Sequence, residues 1–190
     1  MRNAYLMLLL SALLFATCSK EDDSPPDPCE GIVCENGGSC VNGVCDCLEG
    51  WEGADCTEVA TPSAITINSI TVTRFPPTRD NGGSWDFTDG PDLIVRLAQL
   101  SNVLYESDYF FEDAVFGEEY LYTTNIRITD VQAEYVITLL DSDTFGDDEF
   151  MGGYTFRLFN SQYTSLPPSK FSIGVEGSPT AFELDVSYEY

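Results

Sequence analysis

Alternating apolar and polar residues predict short β-strands in the part of the chain that follows residue 60. The clearest alternation ends the chain, where Phe182, Leu184 and Val186 face one way and Glu183 and Asp185 face the other. A period of two residues is typical of a strand with one buried face. Earlier stretches show the same period, at residues 70–72, 93–97, 135–139 and 154–158.

Turn-forming residues separate these stretches, and no helical period lasts more than a turn or two. Pro76-Pro77, Asn81-Gly82-Gly83, Gly152-Gly153 and Pro167-Pro168 each interrupt the alternation, as turns between strands do. About eight strands over roughly 130 residues are typical of a β-sandwich. The pattern therefore predicts an all-β fold with an eight-stranded antiparallel sandwich over residues 62–190. Such a fold gathers its loops at two ends, where residues distant in sequence can meet.

The first 27 residues differ in composition and are typical of an export signal and a tether. Residues 1–17 carry Arg2 and an apolar stretch that is short for a membrane span. Leu14-Phe15-Ala16-Thr17-Cys18 resembles a lipobox, and the Lys and acidic residues that follow resemble surface lipoproteins of Bacteroidetes-type bacteria. The resemblance implies a lipidated Cys18 in the outer membrane and a tether over residues 18–27. The alternative is a conventional signal peptide with an incidental cysteine.

Six of the seven cysteines lie between Cys29 and Cys56, in a stretch too short to bury a sufficient core without crosslinks. Six cysteines allow fifteen pairings, and a zinc arrangement is the competing interpretation. Cys34-Glu-Asn-Gly-Gly-Ser-Cys40 and the turn Trp51-Glu-Gly53 resemble an EGF-like module over residues 28–57. That resemblance implies the disulfides Cys29–Cys40, Cys34–Cys45 and Cys47–Cys56. We expect the module to act as a rigid spacer, with ligand binding as the alternative.

Acidic residues dominate the composition, with 32 Asp and Glu against 8 Lys and Arg, a formal net charge of -24 and no histidine. This charge excludes a nucleic-acid partner and a polybasic lipid-binding device, because both need clustered basic residues. The absence of histidine excludes His-dependent catalytic triads and removes the usual ligand of Zn, Cu and Fe. The metal ions that this composition still allows are hard cations, which take oxygen ligands, and among them calcium is favoured outside cells.

Two acidic loops adjoin predicted strands of the sandwich. One precedes the strand near residue 93, and the other follows the strand near residue 139 with five carboxylates in nine positions. Like charges on a short loop repel each other unless a cation lies between them. Because Ca²⁺ takes six to eight oxygen ligands and suits flexible carboxylates, the loops predict a calcium site, with solvated acidic turns as the alternative.

The spacing of these loops resembles that of C2 domains. The first runs Asp86-x5-Asp92 into a strand, and the second runs Asp141-x-Asp143-x5-Glu149 and ends in Phe-Met-Gly. The resemblance implies that the calcium ligands are Asp86, Asp92, Asp141, Asp143 and Glu149. Glu149 stands where the family has Asp, so Asp147 and Asp148 are alternatives for that ligand. The resemblance also implies an apolar tip that enters a membrane when calcium binds. The alternative is that the same side chains pack against one another and stabilise the loops. The tip residues would be Trp85, Phe87 and Phe145.

Together these features predict a lipid-anchored surface protein that makes calcium-dependent contact with a membrane, a glycolipid or a partner protein. The alternative is an accessory subunit of an outer-membrane complex, in which calcium only stabilises the loops. No nucleophile with a base, phosphate loop or cofactor fingerprint is present in the sequence. Asp141 and Asp143 have the spacing of metal ligands rather than of an acid–base pair, so we expect no enzymatic activity and no catalytic residues.

Overall fold

The computed structural model describes residues 25–86, 90–143 and 147–190. The predicted signal peptide, the predicted lipidation site Cys18 and the predicted tip residues Phe87 and Phe145 lie outside the described residues. All regular structure within those ranges is β-strand. No helix there is long and apolar enough to cross a membrane.

The amino-terminal module consists of two small hairpins that are crosslinked by disulfides. Strand β1 (Ser39–Val41) pairs with β2 (Val44–Asp46), and β3 (Trp51–Glu52) pairs with β4 (Glu58–Val59). Asn42 and Gly43 connect the first pair with φ angles of 53° and 87°, as the favoured two-residue hairpin turn requires. The disulfides are those that the EGF-like resemblance implies: Cys29–Cys40, Cys34–Cys45 and Cys47–Cys56.

Eight further strands form two four-stranded sheets, which confirms the prediction of an all-β, eight-stranded sandwich. The sheet orders are β10-β9-β6-β7 and β11-β12-β5-β8, and all neighbouring strands are antiparallel. The strands are β5 (Ala64–Arg74), β6 (Leu93–Gln99), β7 (Asn102–Glu106), β8 (Tyr120–Ile128), β9 (Tyr135–Asp141), β10 (Glu149–Phe156), β11 (Lys170–Ile173) and β12 (Ala181–Glu189).

The core lies between the two sheets and is built from the inward faces that the alternation predicts. Leu93, Val95 and Leu97 of β6 are fully buried against the apolar faces of β5 and β12. The Tyr122 hydroxyl donates a hydrogen bond of 2.6 Å to the Leu93 carbonyl and links one sheet to the other. Tyr154 and Phe156 are only half-buried because β10 is an edge strand, whereas Leu158, just after β10, is fully buried.

The EGF-like module contacts the sandwich at the end where β5 begins and β12 finishes. Gly50 is buried there with φ +86°, and a Cβ atom at this position would lie 2.6 Å from Leu166 Cδ2 and 3.3 Å from Tyr190 Cζ. The positive φ favours glycine here, and a larger residue would also have to displace the Leu166 side chain. The Ala60 amide donates to the Gly50 carbonyl at 2.9 Å, so the connecting segment is held against the module.

Candidate metal site

The two predicted acidic loops meet at one end of the sandwich, which we call the acidic end. Strand β6 starts beside the last residue of β9, because Leu93 and Asp141 are paired in the sheet. The Asp92 amide donates to Asp141 Oδ1 at 2.7 Å, and the Ser142 amide donates to the Asp92 carbonyl at 2.8 Å. The EGF-like module lies at the opposite end, since the register pairs Ala64 with Glu189 there.

Asp141 is the central group of the acidic end. It continues the inward face of β9 and has no exposed surface, yet its Oδ2 atom has no hydrogen-bond partner. A buried carboxylate oxygen without a donor destabilises a protein. Burial is the main cause that raises the pKa of Asp141 to about 7, and the nearby charges of Asp86, Asp143 and Asp92 raise it further. The Asp92 amide opposes this shift by stabilising the charged form.

A calcium ion takes oxygen ligands, and the carboxylates at the acidic end are ligands of that type. A divalent cation beside Asp141 would contact the unsatisfied Oδ2 atom and offset the repulsion from Asp86, Asp92 and Asp143. Within residues 25–86, 90–143 and 147–190, no group of three or more Cys, Asp or Glu side chains is gathered closely enough to hold a metal ion. Residues 87–89 and 144–146 of the two loops lie outside the described residues.

Two of the remaining predicted ligands are placed beside arginines instead. Glu149 forms an ion pair with Arg79. Asp148 Oδ2 lies 3.9 Å from Arg96 Nη2. The third, Asp147, is exposed. The charges of Asp86, Asp92 and Asp143 therefore act on Asp141, while the Glu149 carboxylate has a protein cation as its neighbour.

Trp85 does not have the position expected of a membrane-inserting tip. Only 8% of its surface is exposed, and it belongs to the hydrophobic core. Its Nε1 atom donates to the Pro76 carbonyl at 2.8 Å, and the Arg79 guanidinium carbon lies 5.9 Å from its ring centre. The indole thus fills the base of the first acidic loop, because both its apolar rings and its N–H group find partners there.

A third loop at the acidic end, residues 107–119, was not identified from the sequence. The Asp113 amide donates to Asp92 Oδ1 at 3.0 Å, and the Ala114 amide donates to the Pro91 carbonyl at 2.9 Å. Phe110 and Phe116 of this loop are 42% and 58% exposed. The aromatic run Tyr-Phe-Phe at positions 109–111 was the available signal, since such residues are rare in solvated loops.

Close approach between the first and third loops depends on Gly90. A Cβ atom at this position would lie 2.3 Å from the Ala114 carbonyl oxygen and 3.0 Å from the Ala114 nitrogen. These are backbone atoms, so a side chain here would push the two loops apart. The acidic end is therefore assembled from three loops that are fixed by main-chain contacts.

The amino-terminal module matches a known family. The model of EGF-like domains matches residues 27–56. This module is an EGF-like domain. Its disulfides and its hairpin turn agree with that assignment.

Curated relatives match part of the chain. The adhesion G-protein coupled receptor G7 of Homo sapiens is 36% identical over 87 residues, which cover 43% of this chain and 11% of the receptor. The receptor of the same name from Mus musculus is 34% identical over 73 residues, covering 36% of this chain and 9% of the receptor. The matched part of the chain thus spans about a tenth of the length of these relatives.

Solved structures with a similar chain trace include C2 domains. One solved C2 domain has a TM-score of 0.43 and 13% identity, covering 67% of this chain and 98% of that chain. A C2 domain of plant Extended Synaptotagmin 1 has a TM-score of 0.39 and 16% identity, covering 68% of this chain and 97% of that chain.

We expect the metal-free protein to lose stability as the pH rises. Because the pKa of Asp141 is raised from 3.8 to about 7, the folded protein binds more protons than the unfolded chain between these values. The free energy of unfolding therefore falls, by on the order of 3 kcal/mol, from about pH 4 to above pH 7. Thermal melts with a chelator present measure this. The control is Asp141→Asn, which keeps the repulsion among the other acidic residues but lacks the carboxyl group at position 141. If the stability of this variant fell equally steeply with pH, the expectation would be contradicted.

Proposed function

We propose that the sandwich is a calcium-binding C2-type domain whose acidic end makes calcium-dependent contact with a membrane. The EGF-like domain and a lipidated Cys18 would hold this domain at the outer surface of the cell. The alternative target of the acidic end is a glycolipid or a partner protein. The role is one of binding rather than catalysis.

The observation that carries this proposal is the buried Asp141 carboxylate, whose Oδ2 atom lacks a hydrogen bond. Asp86, Asp92, Asp141 and Asp143 would hold the ion, because their charges act on one another and the backbone fixes Asp92 beside Asp141. Bound calcium would supply positive charge at an otherwise acidic surface. Without that charge, a chain of net charge -24 is repelled by anionic lipid headgroups.

The third loop supports a membrane as the target. Phe110, Val115 and Phe116 are exposed beside the acidic end, although apolar side chains of this size are usually buried. Their loop is tied to the first acidic loop through the Asp113 amide and Asp92. A calcium ion at the carboxylates and apolar side chains next to them would together suit the boundary between headgroups and acyl chains.

The position of the EGF-like domain supports contact with a second surface. This domain and the acidic end lie at opposite ends of the sandwich, according to the register of β5 and β12. An anchor at Cys18 would attach next to the EGF-like domain, so the acidic end would point away from the anchoring membrane. Matches to adhesion receptors agree with a protein that works outside the cell.

We expect the purified protein to sediment with phosphatidylserine-containing liposomes in millimolar calcium and to remain in solution with a chelator. The double variant Phe110→Ser with Phe116→Ser should lose at least tenfold in liposome affinity, because it removes exposed apolar area from the acidic end. Calcium-induced stabilisation of the same variant should be unchanged. A second double variant, Phe87→Ala with Phe145→Ala, tests the predicted tip residues in the same assay.

The control is Val44→Ser, which removes an exposed apolar side chain from the EGF-like domain. It should bind liposomes as the wild type does. Sedimentation that persists in chelator, or that survives both aromatic double variants, would contradict membrane contact by the acidic end. Capture of a partner protein that is equal with calcium and with chelator would favour the accessory-subunit role instead.

A further inference from the structure

Strand β10 is an open edge of the sandwich. It pairs with β9 on one side, and no described strand lies on its other side. After a bulge between Phe150 and Gly152, its register with β9 runs without interruption from Gly152 to Phe156. Every second residue of such an edge directs its backbone N–H and C=O groups away from the sheet, where they can pair with another strand.

A pocket with apolar walls adjoins the start of this edge. Its volume of about 540 Å³ is within the range of pockets that hold ligands. Its apolar walls come from β10 and from two loops beside it, at Pro76, Trp85, Phe150, Met151 and Pro179. Phe150 is 66% exposed, whereas Met151 is buried. A partner that covered the Phe150 ring would therefore remove a large apolar side chain from water.

Contacts within the sandwich hold the walls of the pocket in place. The Trp85 Nε1 atom donates to the Pro76 carbonyl at 2.8 Å, and the buried Thr180 hydroxyl donates to the Met151 carbonyl at 3.0 Å. A Cβ atom on Gly152 would lie 2.2 Å from Thr180 Oγ1, so this loop packs closely against β10. Because the pocket is formed in advance, binding does not have to order these loops.

The surroundings of the pocket are acidic. Asp80 and Glu149 line it, and Asp147 and Asp148 directly precede β10 in the chain. Arg79 offsets the charge of Glu149, but the carboxylates still outnumber this arginine. In a chain of net charge -24, such a surface attracts basic segments and repels acidic ones.

We propose that β10 and this pocket bind an extended, basic segment of a partner protein. The segment pairs with β10 as a further strand of the sheet, places one apolar side chain in the pocket and carries Lys or Arg on both sides of it. In this mode of recognition, main-chain hydrogen bonds supply affinity and the side-chain pocket supplies specificity. The contact is made by the side of the sandwich, so it needs neither calcium nor the membrane contact proposed for the acidic end.

The other strand edges are less suited to this contact. Strands β7 and β11 have only five and four residues. Strand β8 is longer, but the loop of residues 107–119 covers its start. The Tyr109 hydroxyl donates to the Leu121 carbonyl at 3.4 Å, and the Val115 amide donates to the Tyr120 hydroxyl at 2.6 Å.

Fluorescence anisotropy with short labelled peptides tests the proposal. The peptides alternate threonine with valine, carry a lysine at each end, and have phenylalanine, leucine or isoleucine at the centre. We expect at least one of them to bind the purified protein with a dissociation constant below about 1 mM, equally with calcium and with chelator. Serine at the centre should weaken this binding at least tenfold, because the pocket is then left without an apolar side chain. Glutamate at both ends, or N-methylated backbone amides, should weaken it by a similar factor.

Phe150→Ser should lower the affinity for the best of these peptides at least tenfold, because it removes a wall of the pocket. Val103→Ser is the matched control, since it removes an exposed apolar side chain from β7, the opposite edge of the same sheet. It should bind the peptide as the wild type does. In amide NMR spectra of the labelled protein, the peptide should shift the signals of β10 and leave those of β7 unchanged.

The proposal is overturned if none of the peptides binds, if binding requires calcium, or if the N-methylated peptide or Phe150→Ser binds as strongly as its parent. Peptide binding that shifts β7 or β8 instead of β10 would also overturn it. If no peptide binds and Phe150→Ser loses sedimentation with liposomes, the pocket belongs to the membrane contact and the proposal fails. Each of these results leaves the calcium site untouched, because calcium uptake is measured separately.

Discussion

Asp141→Asn is expected to stabilise the metal-free protein at about pH 8 by on the order of 3 kcal/mol, or roughly 10 °C in melting temperature. The carboxylate is buried and its pKa is raised to about 7, so at higher pH the fold must hold a charge that it disfavours. Asparagine has the same shape, and its oxygen can still accept the hydrogen bond from the Asp92 amide. The variant thus removes the charge and keeps the contact.

The same variant should abolish the response to calcium. A site with a dissociation constant of about 10⁻⁴ M would stabilise the wild type by about 2.7 kcal/mol in about 10 mM calcium. Asp141→Asn loses the central ligand and should show almost none of this gain. Melting curves with chelator and with calcium measure both effects. General damage to the fold would lower the melting temperature of the metal-free variant. A higher metal-free melting temperature together with a lost calcium response therefore distinguishes a buried ligand from a structural residue.

Asp147→Asn is the control for this prediction, since it removes the same charge from an exposed position in the same loop. It should change the metal-free melting temperature little and should keep the calcium response. A lower metal-free melting temperature for Asp141→Asn, or a calcium shift that persists in it, would contradict the assignment of Asp141 as the central ligand.

The strands that sequence patterning identified are those with one face in the core and one face outside. Strands β6, β9 and β12 belong to this group, and their alternation follows directly from burial. Strand β7 is an edge strand with almost every residue exposed, so it carries no alternation. Strand β8 places Thr124 among its inward positions, where the hydroxyl donates to the Ile67 carbonyl at 2.6 Å beside a bulge. A polar residue with a backbone partner therefore interrupts the apolar period.

The candidate site shows the same division between local and distant contacts. Asp92 and Asp141 could be placed together from sequence because each adjoins a strong strand signal, and those strands are neighbours in the sheet. The ion pair between Arg79 and Glu149 could not be predicted from the sequence. Its two residues lie far apart in the chain, and Arg79 belongs to a turn that has no periodic pattern. Asp113 contributes through its backbone amide, which any residue provides. Side-chain type alone carries no signal for such a contact.

Removing the Cys47–Cys56 disulfide by Cys47→Ala with Cys56→Ala is expected to cost about 2 to 5 kcal/mol of stability in the EGF-like domain. This short module has no large core, so its crosslinks restrict the unfolded chain and hold the loop that carries Gly50. Cys56 is fully buried, and its loss also leaves a cavity. The contact of Gly50 with Leu166 and Tyr190 should therefore be lost with this disulfide.

The comparison variant is Cys29→Ala with Cys40→Ala, which opens a loop of similar length but leaves the segment around Gly50 crosslinked. Both variants should lower the melting temperature of the EGF-like domain, and only the first should expose the junction to proteolysis. The calcium response should survive in both, because the acidic end lies at the opposite end of the sandwich. Loss of that response in either variant would mean that the EGF-like domain supports the metal site directly, which contradicts a role as a spacer.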